Sequence, residues 1–437
     1  MMIKIYIKQA WVLLKQNPLF STLYIVGTGL AIAVTMTMAI AYYVKIAPIY
    51  PEVNREHTLY LTSVRIQTAS GGGTSQSYSS YKALQEWFYP LKNVECVSAV
   101  YQNWQSENYI QPADQSGDYP VQVKLTDTAF FRIYDFRFIE GKPFTQADFS
   151  SGIHSAVITD EMARRLFDTD RNVTGRMFKL NYMDCKVAGV VKAGSYLTPK
   201  SYAQIYLPYT IQRDYDKAWS FDYLGNYQVL FLVKSAKQEQ ALHLEVENLV
   251  RKVNLVHAKE WKLMIWKQPI SHLQSVFQAY PGAKDFSVWG TIRHYLLIIL
   301  VLLLVPALNL SGMISSRMET RLAEMGVRKS FGAHRSSLLS QVMWENLLLT
   351  LIGGLFGMLL AWGILYTGRV WVFSLFESMP EQLPDGVVPA ISGEMLFAPI
   401  IFISALVLCI ILNMLSAIIP AWRSLHKPII NSLNEKR

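Results

Sequence analysis

The chain has 437 residues, 51% of them hydrophobic and only 17% charged, with a formal net charge of +9. Soluble domains carry about 25% charged residues, so a wholly soluble protein is excluded and a membrane protein is expected. The basic excess sits in short segments beside apolar runs, not on one clustered face, which argues against nucleic acid as a partner.

Residues 1–18 are basic and amphipathic, with Lys4, Lys8 and Lys15. The apolar run 19–44 follows. Ala39-Ile40-Ala41 imitates a signal-peptidase site, but the run exceeds the roughly 7–15 residues of a signal core, so an uncleaved first membrane helix is expected. Residues 45–291 are too polar for a membrane and long enough for one or two folded domains. Within them 57–66 and 94–101 read as strands, with a glycine-rich loop at 71–73 and a helix at 79–91 between them. The order recurs later as strand 227–234, helix 237–253 and strand 261–267. Two β-α-β halves flanking an insertion at about 127–195 give an α+β domain. The insertion shows a strand at 156–159, a helix at 161–167 and a strand at 185–191. Cys96 and Cys185 share this region, and a pairing between them stays open. Cys409 reads as a small packing residue in an apolar run. Three cysteines are too few for a disulfide framework, and none has metal-ligand spacing with histidine.

Three more runs reach the roughly 20 residues a bilayer requires: 292–313, 338–366 and 397–420. The second of the four spans contains Pro306 and Asn309; Asn309 reads as a polar contact between helices, worth about 1 kcal/mol. The third contains Gly353, Gly354 and Gly357, whose spacing lets helices approach closely. Glu345 near its start is either an intramembrane ionisable group or a helix-end residue at the interface. Arg317, Arg321, Arg328, Lys329 and Arg335 mark the connector 314–337, and Arg423, Lys427, Lys436 and Arg437 mark the tail 421–437. The loop 367–396 carries Glu377, Glu381, Asp385 and Glu394 against Arg369. The positive-inside rule then places both termini and the connector in the cytoplasm, with 45–291 outside.

Catalytic readings fail one by one. Asp160-Glu161 with Arg164 and Arg165 reads as a solvated helix face. The stretch 194–201 ends in Pro-Lys-Ser, but Pro199 stands where a phosphate-binding loop needs glycine. The chain has no Walker-type loop and no nucleophile elbow, so no cofactor is expected to bind it directly. The connector is more specific. Glu319 and Glu324 alternate with Arg317, Arg321 and Arg328, Gly326 and Gly332 punctuate it, and Ser336-Ser337 read as the cap of the next helix.

The run Glu324-Met325-Gly326-Val327-Arg328-Lys329-Ser330-Phe331-Gly332-Ala333 resembles the signature of the MacB/FtsX-type (type VII) ABC transporter permeases. Leu351-Ile352-Gly353-Gly354-Leu355-Phe356-Gly357 and Pro420-Ala421-Trp422-Arg423 with Lys427-Pro428 are similar to further motifs of that family. In the outer region Phe130-Phe131, Gly141-Lys142-Pro143-Phe144, Asp148, Ala163, Leu166-Phe167, Gly175 and Val187-Ala188-Gly189-Val190-Val191 resemble the periplasmic core domain of its MacB-like members. The resemblance implies four spans, a second permease copy, and a cytoplasmic ABC ATPase that holds the ATP and magnesium. A membrane-fusion adaptor is a further implied partner. Residues 318–334 would sit on the ATPase, with Arg328 and Lys329 pairing to acidic groups and Met325, Val327 and Phe331 filling an apolar groove. Arg321, Gly326, Gly332 and Ala333 belong to the same contact, and 271–294 would be a stalk that transmits motion. The implied function is efflux of antimicrobial compounds or other periplasmic substrates. Alternatives are an FtsX-like regulator of a cell-wall hydrolase, a lipoprotein-releasing permease and a peptide-sensing receptor.

Overall fold

The computed structural model describes residues 11–12, 18–102, 107–111, 117–278, 286–320, 322–375, 395 and 399–426. The chain divides into two units, Met1–Tyr43 with Trp289–Ser378 and Ile391–Arg437, and Val44–Val288 with Met379–Ala390.

The helical unit starts from α1, Pro18–Ile46, whose last turn belongs to the other unit. Sixteen strands among the described residues of that second unit join into one hydrogen-bonded network. In its first half, Tyr227–Leu232 lies between Thr58–Leu61 and Cys96–Tyr101, antiparallel to both. Val64–Thr68 lies between Trp261–Met264 and Thr74–Ser79. The single strand expected at 57–66 is broken, because Gln268 Oε1 accepts from the amides of Thr62 (2.7 Å) and Ser63 (3.3 Å). The helix expected at 79–91 shrinks to Tyr81–Ala83, capped by Ser80, and a wide π-type turn Leu84–Phe88. That turn buries Leu84, Trp87 and Phe88 together in the core.

The insertion is an extension of the same sheet. Val123–Thr126 pairs with Cys96–Tyr101, and Ile205–Pro208 runs parallel to Val123–Thr126 while meeting Ser155–Thr159. Met183–Val191 then lies parallel to Ser155–Thr159 and antiparallel to Phe138–Gly141. At the latter crossing Gly141 faces Gly189. Gly141 has φ +71°, and a methyl there would overlap the Ala188 carbonyl oxygen. One at Gly189 would lie 2.6 Å from the Lys142 oxygen. Only two glycines let these strands pass. Phe130, Tyr134, Phe136, Phe144 and Tyr206 pack as a second core beside them.

The helix α2, Asp160–Phe167, corrects one expectation. Asp160 is buried, not solvated. It accepts from Arg164 (2.9 Å), Lys192 (3.0 Å) and the Ala193 amide (2.7 Å). Burial works to raise its carboxyl, but Lys192, Ala193 and Arg164 outweigh burial and hold it below the ordinary range. Cys96 and Cys185 are both free and buried, so the open question of their pairing is answered in the negative. Burial pushes their thiols up to about 11 and about 12. The amphipathic α3, Ala236–Val256, completes this unit, capped by Ser235 and packed through Leu242, Val246 and Val253.

The remaining helices return to the first unit: α4, Val288–Thr320; α5, Leu322–Ser330; α6, Arg335–Thr367; and α7, Pro399–His426. Three helices, Pro18–Ile46, Arg335–Thr367 and Pro399–Arg423, are long and apolar enough to cross a membrane, while α4 has a shorter apolar stretch, Val288–Leu302. The connector 314–337 is therefore mostly helical, since α4 continues to Thr320 and α6 begins at Arg335. The expected boundary at Pro420 also moves, because α7 runs through it to His426. Proline has no N–H, so it frees the carbonyl four residues earlier. That carbonyl, on Ser416, accepts instead from the Ser311 hydroxyl of α4 at 3.1 Å. Ser311→Ala is expected to cost about 1 kcal/mol. In a Pro420→Ala background, where the backbone bond returns, the cost should fall towards zero. A double-mutant cycle of detergent-denaturation midpoints on the full chain measures both.

Candidate coupling site

α5 carries Glu324 in its first turn and Arg328 and Lys329 in its last, the order that complements the helix dipole. Arg328 is held twice within the chain. Its Nη2 meets Glu324 Oε1 at 2.7 Å, and its Nη1 donates to Gln341 Oε1 of α6 at 2.9 Å. α5 then ends on Gly332 at φ +88°. The Gly332 amide donates to Lys329 O and the Ala333 amide to Arg328 O, each at 3.0 Å. These two bonds close the helix end with a left-handed residue, a place that suits glycine. The next cap is His334, in extended conformation, and not the expected Ser336-Ser337 pair, which lies inside the first turn of α6.

The faces of α5 divide cleanly. Met325 is buried and joins Tyr24, Ile314, Met318, Leu338, Val342 and Ala421 in one apolar cluster. Gly326 is also buried. Val327 is 46% exposed and Phe331 88% exposed. Met325 thus serves the chain's own packing and is not available to fill a groove on another protein. Arg328 is likewise turned to Gln341 and Glu324. Burial, with Arg335 beside it, lowers the Lys329 ammonium from its ordinary range. Arg321 lies outside the described residues.

Above α5 the inward face of α6 is polar and then glycine-lined. Gln341, Glu345, Asn346 and Thr350 are buried along it, followed by Gly353, Gly354 and Gly357. Glu345 therefore lies inside the helical packing. Thr350 Oγ1 is 3.2 Å from the Tyr24 hydroxyl of α1 and accepts from Asn413 Nδ2 of α7 at 3.3 Å. This three-helix polar contact escaped the sequence reading, although Thr350 follows Asn346 at the i,i+4 spacing that shares a face. A methyl at Gly357 would overlap the Gly29 carbonyl oxygen of α1. One at Gly353 would lie 3.2 Å from Ile25 O, while Gly354 faces Leu406 of α7. Asn309 lies in α4, and its side chain is outside the described residues.

An apolar helix bundle that carries a large α+β domain between its first two helices, with a short helical connector bearing an outward aromatic, defines a membrane-anchored class. Residues 21–249 match the family model described as the MacB-like periplasmic core domain, and residues 296–429 match the FtsX-like permease C-terminal model. The chain belongs to the MacB/FtsX-type ABC transporter permeases. It is 25% identical over 313 residues to the uncharacterized ABC transporter permease YknZ of Bacillus subtilis, covering 71% of each chain. It is 23% identical over 260 residues to the macrolide export ATP-binding/permease protein MacB of Escherichia coli (strain K12), covering 56% of this chain and 35% of that one. The chain thus spans about a third of that MacB relative. The solved extracellular domain of YknZ aligns with 46% of this chain and 99% of its own, at 17% identity and a TM-score of 0.32.

The glycine seam gives a direct test. Gly357→Ile should lower the detergent-denaturation midpoint of the full chain by about 2 kcal/mol or more, from forced overpacking. Gly363→Ala, in the same helix with open space around it, should leave the midpoint unchanged or slightly raised.

Proposed function

We propose that this chain is the membrane subunit of a transporter in which a separate cytoplasmic ABC ATPase supplies the energy and a second permease copy completes the complex. α4 is the second of four spans. Both termini and α5 lie in the cytoplasm, and the α+β unit lies outside. ATP and magnesium belong to the partner, and this chain holds no cofactor of its own. The carrying observation is Phe331, a phenylalanine left 88% exposed at the end of a helix otherwise pinned by Met325 and by Arg328 on Gln341. A pinned helix with an outward aromatic is a presented anchor, and aromatic anchors dominate protein interfaces. Val327 extends the same exposed surface. Efflux of antimicrobial or other periplasmic compounds, with a membrane-fusion adaptor, is the activity we favour. Its support is the match to the MacB-like core domain and the macrolide export named for several relatives.

Phe331→Asp should weaken capture of the partner ATPase about thirtyfold, the loss of a hot spot worth about 2 kcal/mol, and lower complex-stimulated ATP hydrolysis in parallel. Gln341→Leu, by releasing Arg328, should reduce stimulation less than Phe331→Asp does. Unchanged capture by the Phe331 variant would remove the proposed anchor.

Topology is checked separately. In intact cells an impermeant maleimide should label Tyr182→Cys, at an exposed turn of the α+β unit, and should leave Ser330→Cys unlabelled until the cells are opened. Labelling of Ser330→Cys from outside would invert the orientation.

A further inference from the structure

The stretch that leaves α1 is built as a collar, and a buried ion pair sits at its centre. A helix end leaves its last carbonyls without intrahelical partners. In α1 two of these, on Val44 and Lys45, are taken up inside the α+β unit. Arg55 Nη1 donates to Val44 O at 2.7 Å and to Ala47 O at 2.5 Å. His272 Nε2 lies 2.9 Å from Lys45 O. Arg55 Nε donates to Glu52 Oε2 at 2.8 Å, and both side chains are at most 1% exposed. Glu52 Oε1 in turn accepts the Ser201 amide (2.8 Å) and hydroxyl (2.9 Å).

Four more bonds fasten the same short segment to the inserted module. The Tyr50 hydroxyl donates to Lys192 O at 2.7 Å and accepts from the Arg137 amide at 3.3 Å. The Asp135 amide donates to Pro51 O at 3.0 Å, and Asn54 Nδ2 donates to Ile133 O at 2.9 Å. His272 begins the helix His272–Phe277 that leads towards α4, and its Nδ1 lies 3.2 Å from the Tyr60 hydroxyl. Burial, with Arg55 nearby, pushes the His272 imidazole down to about 4, so it is neutral and donates through Nε2. Burial opposes the Glu52 charge, but the Arg55 guanidinium and the Ser201 amide outweigh it and hold the carboxyl below its ordinary range.

A buried ion pair is a poor device for stability alone, since apolar replacements of similar volume are often neutral or stabilising. Here the cost is visible: Arg55 Nη2 has no partner among the described residues. What the pair supplies is direction. Its fork geometry ties two backbone carbonyls at one end to a carboxylate at the other, and that carboxylate grips a different segment. We infer that Glu52 and Arg55 are positioning residues that carry displacement of the α1 end into the inserted module at 133–137 and 192–201. This rests on the transporter reading above and adds a route separate from the stalk at 271–294.

The test uses the full chain in lipid nanodiscs with its partner ATPase, followed by hydrogen exchange in the apo and ADP-vanadate states. In the parent complex, peptides spanning 133–137 and 192–201 should change protection between the two states. Arg55→Met, and Glu52→Leu with Arg55→Met, should keep ATP hydrolysis within twofold but lose at least four fifths of that difference. The double variant should retain the parent unfolding midpoint, which separates coupling from folding. Glu52→Asp, which keeps the charge, should restore more of the difference than Glu52→Gln. A folded double variant with the full parental difference would overturn the inference and leave the transporter reading standing. Unfolding of all these variants would equally overturn it, making the pair a folding element. If the parent complex hydrolyses ATP with no change anywhere in the α+β unit, the transporter reading itself fails.

Discussion

The helical unit depends on one close contact, the approach of α1 to α6 at Gly29, Gly353 and Gly357. In lipid no hydrophobic effect drives helices together, so packing and interhelical hydrogen bonds must do so. The glycines bring the two backbones close enough for dispersion to act along the seam. One turn away, Thr350 can then reach the Tyr24 hydroxyl and Asn413. The seam and the polar contact reinforce one another. Bulk at Gly357 would separate the backbones and pull the donors off Thr350 together. The same economy governs Pro420, where a carbonyl released in α7 finds the Ser311 hydroxyl of α4. In an apolar medium each freed backbone group needs a named partner.

The α+β unit obeys a different constraint. Its insertion is not a separate body on a tether, because the sheet passes through it by way of Val123–Thr126 and Ile205–Pro208. A continuous hydrogen-bonded sheet resists shear between its parts. The Gly141–Gly189 crossing and the aromatic core around Phe130 and Tyr206 fix the far strands to it. The motifs that carry the resemblance to the core domain, Gly-Lys-Pro-Phe and Val-Ala-Gly-Val-Val, therefore have a structural cause. Asp148 belongs with them, since it completes a capping box with Thr145.

The apolar runs at 19–44, 338–366 and 397–420 and the later strand-helix-strand half were legible because long apolar runs and regular periods are strong local signals. Strands at 156–159 and 185–191 and the helix before Phe167 were found for the same reason. Thr74–Ser79 was missed because its serines and glutamine hide a strand that the backbones of Val64–Thr68 and Leu224–Gly225 pair with. The helix at 79–91 was overextended because its apolar spacing is real, while tertiary packing converts it to a wide turn. Asp160 was read as solvated because a charged Asp-Glu-x-x-Arg-Arg run resembles a surface helix. Only the fold brings Lys192 and the Ala193 amide, some thirty residues later, onto the carboxylate.

The connector shows most clearly what a motif can and cannot state. Sequence similarity groups Met325, Arg328 and Phe331 as one signature, which invites a single role for all three. Physical placement separates them. Met325 is an apolar plug beneath α5, Arg328 is a half-exposed strut to Gln341, and Phe331 and Val327 are exposed apolar groups. Arg328 spends one donor on each terminal nitrogen within the chain, whereas an exposed aromatic gains most from being covered. Phe331 follows a helix that Met325 and Arg328 tie to α6.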